Sequence, residues 1–234
     1  MRMLLTVAVA QPPCVAYDVA ENARAHAEAV REARARVVVF PELSLTGYEL
    51  DAPTITADDP RLRPLVEACA ETGSLALAGA PAAGEAGAAH IAMLTVTGEG
   101  ATVAYRKLWL GSTEALRFTP GSQPAVIEVD GWRLGLAICK DTGIRQHAVD
   151  TVALGIDVYV AGVLESAEDA AIQDERARRI ATEHQVWVAV ASFAGATGEG
   201  YDHAAGRSAI WKPGGVLVAQ AGPEPGAIAR ATLA

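Results

Sequence analysis

LGLAICKD (Leu134–Asp141) is an apolar run that ends on Cys139 and is followed at once by Lys140 and Asp141. Small and aliphatic residues without a charge predict a buried strand, and the charged pair predicts that the strand reaches the surface there. A cysteine held at a strand end, with a cation beside it, lies where a thiolate is stabilised and where a substrate has access. The stretch therefore predicts a core strand that carries a candidate nucleophile at its end.

Two other apolar runs also end on residues that can carry chemistry. Glu42 comes two residues after the run Val37–Phe40, and Lys107 comes two residues after Val103–Tyr105. The chain thus offers a carboxylate, an amine and a thiol, each at the carboxyl end of a predicted strand. Open α/β sheets bind their ligands at such ends, so we expect these three groups to share one site.

The composition indicates a single globular domain, residues 1–234, with a core of small side chains. A chain of 234 residues buries roughly three quarters of its unfolded surface. Hydrophobic residues make up 51% but aromatic residues only 5%, which favours close packing of helices on sheets. The net charge of −9 argues against a nucleic-acid partner, which usually needs a basic face. No apolar segment approaches the roughly 18 residues that a membrane span requires.

The number and spacing of the cysteines argue against two common structural roles. Cys14, Cys69 and Cys139 are odd in number, lie far apart and form no CxxC pair, so neither a disulfide framework nor a zinc site is predicted. This usage suits a reducing compartment, and we expect a cytoplasmic protein without a metal or other cofactor.

The N-terminal sequence MRMLLTVAVAQ allows two interpretations. One arginine, a short apolar run and the triplet AVA resemble a short signal peptide. The same residues also fit a first core strand, Leu4–Ala10. We favour the strand, because the charged region is a single residue and the apolar run is minimal.

Along the chain, predicted strands alternate with predicted helices, and hairpin turns join several of the strands. This alternation predicts a mixed sheet, or two sheets, with helices outside. The predicted strands are 4–10, 37–40, 75–80, 91–97, 101–105, 125–129, 132–138, 157–161, 186–193, 207–211 and 216–219, and the predicted helices are 18–36, 60–72, 144–154 and 168–184.

Several segments resemble, in order, the sequence blocks of the nitrilase superfamily of carbon–nitrogen hydrolases. They are FPELSLTGYE (Phe40–Glu49), YRKLWL (Tyr105–Leu110), LAICKD (Leu136–Asp141), RARRIATEHQVWVAVAS (Arg176–Ser192) and GRSAIWKPGG (Gly206–Gly215). The resemblance covers nearly the whole chain. It implies an α/β fold, a four-layer α-β-β-α sandwich with mixed sheets, and a protein that forms a homodimer or a higher homo-oligomer.

The resemblance also implies a Glu-Lys-Cys catalytic set, which falls on Glu42, Lys107 and Cys139. Glu42 would act as base and Lys107 would stabilise the oxyanion, helped by the backbone N–H of Lys140, while Glu114 takes the place of the accessory glutamate. These roles agree with the chemistry of the side chains, because a thiol near its ordinary pKa needs a base or a positive field.

Other interpretations of these residues stay open. An apolar-strand cysteine is most often an inert core residue, and a glutamate or lysine at a strand end is often solvated. The ammonium of Lys140 either acts on the thiol or a substrate carboxylate, or it points to solvent or to Asp141. A histidine base is a rival for the glutamate, but no spacing pairs any histidine with Cys139. Near strand ends, the predicted pocket residues are Tyr48, Trp109, Glu165 and Phe193.

The sequence departs from the superfamily pattern around the nucleophile. Gly143 stands where members that act on ω-amides of keto acids often carry an arginine, and Trp109 and Ser192 replace a usual histidine and asparagine. The chemistry is therefore better predicted than the substrate. We expect a hydrolase of a small linear amide or N-carbamoyl compound that works through a cysteine thioester. The alternatives are a nitrilase, an amide acyltransferase with the same triad, and a non-catalytic metabolite-binding protein.

Overall fold

The strands form two six-stranded mixed sheets in a computed structural model that describes residues 3–234. In spatial order, the first sheet contains β14 (Ile228–Leu233), β1 (Leu5–Ala10), β2 (Val37–Val39), β3 (Leu75–Ala83), β4 (Ala89–Thr97) and β5 (Gly100–Arg106). The second contains β13 (Val216–Gln220), β12 (Ala209–Lys212), β9 (Trp187–Ser192), β8 (Val158–Val163), β7 (Trp132–Ile138) and β6 (Ala125–Val129). A short ladder joins β10 (Ala194–Gly195) to β11 (Ala204–Ala205).

Helices cover the outer faces of both sheets. They are α1 (Val19–Ala33), α2 (Arg63–Thr72), α3 (Lys140–Gly143), α4 (Arg145–Ala153) and α5 (Ala170–His184), with 3₁₀ turns at Pro60–Leu62, Glu85–Gly87 and Glu114–Leu116. Asp18 caps α1 by accepting a hydrogen bond from the backbone N–H of Glu21, and α2 stops at Gly73 in the left-handed conformation. Within residues 3–234, none of these helices is both long and apolar enough to cross a membrane.

Alternation along the strands builds the layers, because successive side chains of a strand point to opposite faces. Val37 and Val39 of β2 pack between the two sheets, together with Leu134 and Leu136 of β7. Val38 packs on the other face, in the apolar cluster that includes α1 and α2. A third cluster lies between the second sheet and the helices α4 and α5. The predicted α-β-β-α sandwich is therefore confirmed.

The element boundaries agree with the sequence prediction in most places, with three additions. The sequence prediction ends at residue 219 and misses β14, which pairs with β1 along its length. It also misses the single turn α3 directly after Cys139 and the ladder of β10 and β11. Leu5–Ala10, the stretch that resembles part of a signal peptide, forms β1 between β14 and β2.

Candidate active site

Three strand ends bring Glu42, Lys107 and Cys139 to one place between the sheets. Glu42 follows β2, Lys107 follows β5 directly, and Cys139 follows β7 directly. The Nζ atom of Lys107 donates a hydrogen bond of 2.7 Å to Oε1 of Glu42, and both side chains are almost completely buried. The charges of Glu42 and Lys107 both act on the pKa of the Cys139 thiol, so the groups that the sequence offers at separate strand ends are neighbours in space.

Two glycines allow the segment around Glu42 to approach both sheets. A Cβ atom on Gly79 of β3 would lie 2.3 Å from the carbonyl oxygen of Pro41. A Cβ atom on Gly162 of β8 would lie 2.6 Å from the carbonyl oxygen of Phe40. Any larger residue would push this backbone away, so the two glycines set the position of the Glu42 carboxyl group.

Lys107 bridges two glutamates. Its Nζ atom also donates a 2.7 Å hydrogen bond to Oε1 of Glu114, which accepts a second one of 2.6 Å from the Tyr48 hydroxyl. The backbone N–H of Gly111 donates to the other oxygen of Glu114 at 2.6 Å. An ammonium group carries three N–H donors, and the contacts of Lys107 within residues 3–234 use two of them. Oε2 of Glu42 is buried and has no hydrogen-bond partner among the same residues.

Burial and charge give the two glutamates different proton affinities. Burial raises the pKa of Glu42 to about 7, although the positive charge of Lys107 opposes that rise. Burial also favours the neutral form of Glu114, but Lys107 and the hydrogen bonds outweigh it and leave its pKa below the ordinary value. Burial disfavours the charged form of Lys107, yet the neighbouring negative groups raise its pKa overall. Glu114 and Lys107 are therefore a charged pair, and Glu42 is a carboxyl group that exchanges its proton near neutral pH.

Cys139 lies in a strained turn between β7 and α3. Its φ of 41° is in the left-handed region that residues other than glycine rarely occupy, a conformation that typically costs about 1–3 kcal/mol. The backbone N–H donates to the carbonyl of Gly162 at 3.0 Å, and the thiol donates to the carbonyl of Leu164 at 3.3 Å. Burial and the charge of Glu42 raise the pKa of the thiol, while Lys107 lowers it. The resting group is a thiol that needs a base.

An apolar cluster lies beside the thiol. Phe193, Leu164 and Ala204 form its buried part, and Tyr48 and Tyr201 pack against them. The rings of Tyr48 and Tyr201 meet edge to face, 5.7 Å apart. Tyr201 was missed by the sequence analysis, although its place in a glycine-rich connection is a common signal of a functional loop.

The segments around Tyr201 also border an open cavity of about 550 Å³. It is lined by Ser166, Ala167, Glu168, Glu199, Gly200, Tyr201, Asp202 and His203. Tyr201 therefore belongs both to the apolar cluster beside the thiol and to the wall of a cavity of ligand size.

The other predicted site residues differ in how they contact the Glu-Lys-Cys site. The half-buried Glu165 follows Leu164 and pairs with Arg176, and its negative charge contributes to the raised thiol pKa. The exposed Lys140 donates from Nζ to the carbonyl of Leu110 at 2.7 Å. Trp109 is 44% exposed and is tied to the site by its backbone N–H rather than by its ring.

The three buried histidines are partnered elsewhere. The side-chain hydrogen bond of Cys139 within residues 3–234 goes to a carbonyl oxygen and not to an imidazole. His147 and His26 are buried in hydrogen bonds of their own, and His90 bonds to the carbonyl of Thr119. In the same part of the chain, no group of three or more His, Cys, Asp or Glu side chains is arranged to hold a metal ion.

The fold agrees with what is found among known proteins. The family model described as carbon-nitrogen hydrolase matches residues 6–234. A protein of Pseudomonas protegens named "Hydrolase in pqqF 5'region" is 28% identical over 227 residues, which are 93% of this chain and 79% of that protein. The chain therefore belongs to the carbon–nitrogen hydrolase family, in the nitrilase superfamily, and is an enzyme of that class.

Solved structures of this superfamily share the fold. Nit3 of Saccharomyces cerevisiae, a member of branch 10 of the nitrilase superfamily, has a TM-score of 0.88 and 21% identity, with 98% of this chain and 90% of that chain covered. An amidase from Nesterenkonia sp. AN1 has a TM-score of 0.85 and 22% identity over the same shares of the two chains. This structure is of a mutant of that amidase, and the acetamide moiety of fluoroacetamide is covalently added at its active-site cysteine.

Proposed function

We propose that this enzyme hydrolyses the C–N bond of a small linear amide or N-carbamoyl compound through a thioester on Cys139. The observation that carries the proposal is the buried bridge of Lys107 between Glu42 and Glu114, beside a thiol in a strained turn. Among residues 3–234, the bridge leaves one oxygen of Glu42 and one N–H of Lys107 without a hydrogen-bond partner, and these are the two groups that thiol acylation needs.

In the first step, the thiol loses its proton to the free oxygen of Glu42. The sulfur forms a bond to the amide carbon, and the π electrons of the carbonyl move to oxygen. Transferring the proton from Cys139 to Glu42 leaves the buried charge unchanged, so the step avoids a further desolvation cost. The remaining N–H of Lys107 stabilises the oxyanion. The backbone N–H of Lys140 helps, because the first residue of a helix has no acceptor within that helix.

In the second step, the tetrahedral intermediate collapses and the C–N bond breaks. The leaving nitrogen takes the proton from Glu42 and departs as ammonia or an amine, which leaves a thioester on Cys139. Glu42, ionised again, then takes a proton from water as the hydroxyl oxygen attacks the thioester carbon. The C–S bond breaks, the thiol recovers its proton, and the carboxylic acid is released.

Glu114 keeps this machinery charged and in place. Its lowered pKa makes it the constant negative partner of Lys107 over the whole neutral pH range. Glu42 can therefore gain and lose a proton while Lys107 remains an ammonium ion. The hydroxyl of Tyr48 fixes the Glu114 carboxylate from the side of the apolar cluster.

We place the substrate's acyl group against the cluster of Tyr48, Phe193 and Tyr201. The aromatic edges and the neighbouring aliphatic groups offer little hydrogen bonding to an acyl chain. A small acyl group with an apolar body fits this surface. The covalent adduct in the Nesterenkonia amidase mutant supports this proposal, because there the acetamide moiety of a small amide is attached to the active-site cysteine.

Intact-mass spectrometry during turnover of a panel of small amides tests this proposal. We expect ammonia release and, with slowly hydrolysed amides, an acyl adduct that maps to Cys139. Cys139→Ala should lose both, and Cys69→Ala should keep both, because Cys69 lies on α2 in the outer apolar cluster and burial raises its pKa to about 11. Ammonia release by Cys139→Ala at the wild-type rate would rule the mechanism out. An adduct that yields hydroxamate with hydroxylamine better than acid with water would make the enzyme an acyltransferase instead.

We also propose that residues 1–234 act as one hydrolase domain in a cytoplasmic homo-oligomer without a cofactor. All three cysteines are free, which suits a reducing compartment. Exposed aliphatic side chains on α4, directly after α4, on α5 and on β13 offer surface for a second copy; they are Val149, Leu154, Ile172, Val216, Leu217 and Val218. Light scattering during size-exclusion chromatography tests this proposal, and a monomer at micromolar concentration would contradict it.

A further inference from the structure

A second set of buried polar groups lies directly behind the nucleophile, around Asp141. One oxygen of its carboxylate accepts the backbone N–H of Ile138 at 2.9 Å and the hydroxyl of Tyr105 at 2.7 Å. The other oxygen accepts the backbone N–H of Trp109 at 3.0 Å. Ile138 immediately precedes Cys139, and Trp109 comes two residues after the catalytic lysine. One carboxylate thus fastens the cysteine turn to the lysine loop.

The chain of hydrogen bonds continues away from the active site. The hydroxyl of Tyr105 lies 2.9 Å from Nε2 of His147, and Nδ1 of His147 lies 2.8 Å from the hydroxyl of Tyr159. All four side chains are buried, and His147 meets both tyrosine rings edge to face. Such a network leaves each member little freedom to reorient.

Counting donors fixes the direction of every bond. The carboxylate of Asp141 only accepts, so the Tyr105 hydroxyl proton points at Asp141. The Tyr105 oxygen must then accept from His147, which places a proton on Nε2 of that ring. A neutral imidazole has one N–H, so Nδ1 is an acceptor and Tyr159 donates to it. Burial lowers the pKa of His147 and keeps the ring neutral, although the charges of Asp141 and Asp150 oppose this.

We propose that His147, as the Nε2–H tautomer, is a positioning residue for the reaction of Cys139. Its N–H holds the Tyr105 hydroxyl toward Asp141, and Asp141 in turn holds the strained turn and the lysine loop at a fixed separation. This inference rests on the proposed function, since it concerns the groups that acylate and stabilise. A shift of about 1 Å between such groups can cost about 100-fold in rate, so a remote support of this kind has a measurable effect.

The tautomer is tested on the wild-type protein by two-bond ¹H–¹⁵N NMR correlation of the histidine rings, with His147→Gln used to assign its signals. We expect His147 to be protonated on Nε2 alone at neutral pH. Protonation on Nδ1, or on both nitrogens, would overturn the proposal, because the bond to Tyr105 would then have a different direction or a different strength.

The positioning role is tested by a matched pair of variants, His147→Gln and His147→Asn. The amide of glutamine reaches the place of Nε2 and can still donate to Tyr105, whereas asparagine reaches only the place of Nδ1. The probe is the second-order rate of alkylation of Cys139 by iodoacetamide across pH, followed by intact mass. We expect His147→Asn to alkylate about 10- to 100-fold more slowly and His147→Gln to stay within about threefold of wild type.

Both variants remove the same ring, and His147→Asn also leaves one buried methylene group fewer than His147→Gln. A purely structural role therefore predicts a lower melting temperature for His147→Asn but equal alkylation rates in the two folded variants. Equal rates in two folded variants would overturn the proposal. Failure of the proposed function is distinguishable from this, because it would show as ammonia release that persists in Cys139→Ala and would leave the tautomer unchanged.

Discussion

Two buried polar clusters lie side by side at the end of β7, and they differ in how completely their hydrogen bonds are made. In the catalytic cluster, Oε2 of Glu42 and one N–H of Lys107 have no partner within residues 3–234. In the cluster behind it, Asp141 and His147 each use both of their polar side-chain atoms. In the proposed mechanism, the cluster with free hydrogen-bonding groups reacts with the substrate, and the cluster whose hydrogen bonds are complete holds it in position.

The difference in hydrogen bonding between the two clusters affects the stability of the fold. A buried polar atom without a partner costs about 1–3 kcal/mol, and more when it is charged. The Glu42 oxygen therefore destabilises the fold unless a substrate or a proton reaches it. The neighbouring complete network compensates by restraining the backbone, so the reactive groups stay in place although they are poorly satisfied.

Glu42→Gln should produce the largest change, because it keeps the size of the side chain but removes the base. We expect amide hydrolysis to fall by about 10²- to 10⁴-fold. Rates of ammonia release measure this effect. Glu28→Gln, which changes an exposed carboxylate on α1 away from the site, is the control and should stay near the wild-type rate.

The same variant should change stability with a defined sign. The pKa of Glu42, about 7, exceeds the ordinary value of 4.5, so its contribution to stability is present below pH 4.5 and is lost as pH rises through 7. Glutamine does not titrate, and Glu42→Gln should therefore gain stability relative to wild type between pH 4.5 and 8. Urea unfolding at both pH values measures it, and a relative loss would contradict the raised pKa.

Lys107→Met should produce the next largest effect, both on the rate of hydrolysis and on the stability of the fold. It removes an oxyanion donor, which typically costs about 10²- to 10³-fold in rate. It also leaves Glu114 and Glu42 buried without a counter-charge, a loss of about 3–5 kcal/mol. A rate loss without a loss in the urea midpoint would show that the glutamates do not need the lysine.

The proximity of Glu42, Lys107 and Cys139 was easier to predict from the sequence than the cluster around Asp141, for a physical reason. Glu42, Lys107 and Cys139 follow apolar runs, and a polar residue that ends such a run is visible without knowledge of the fold. Asp141 belongs to the Cys139 motif, but its partner Tyr105 lies 36 residues away in the chain. Such contacts arise from packing, which a single sequence does not reveal.

The fold shows the same limit. Strong periodic or apolar segments such as Val37–Val39 and Trp132–Ile138 were predicted within a residue or two. The last strand, β14, was missed because IARATL combines small, charged and polar residues, and its strand form depends on pairing with β1. The turn α3 was missed because four residues carry no helical period.

Glu114→Gln should have a moderate effect that appears chiefly in the pH profile. Hydrolysis needs ionised Glu42, so kcat/KM should fall as pH drops through about 7. The charge of Glu114 contributes to the raised pKa of Glu42, and its removal should move this acidic limb to lower pH. A limb that stays in place, or that moves to higher pH, would show that Glu42 is not the titrating base.

Tyr159→Phe should have the smallest effect and marks the outer end of the supporting cluster. It removes the donor to Nδ1 of His147, and the contact of that buried nitrogen that remains within residues 3–234 is the distant Thr151 hydroxyl at 3.5 Å. We expect a loss of about 1–2 kcal/mol in urea unfolding and a change in kcat of less than about threefold, because the hydrogen bonds of Tyr105 to His147 and to Asp141 remain. If Tyr159→Phe slowed hydrolysis as much as Lys107→Met, the two clusters would be one catalytic unit, and completeness of hydrogen bonding would not separate support from reaction.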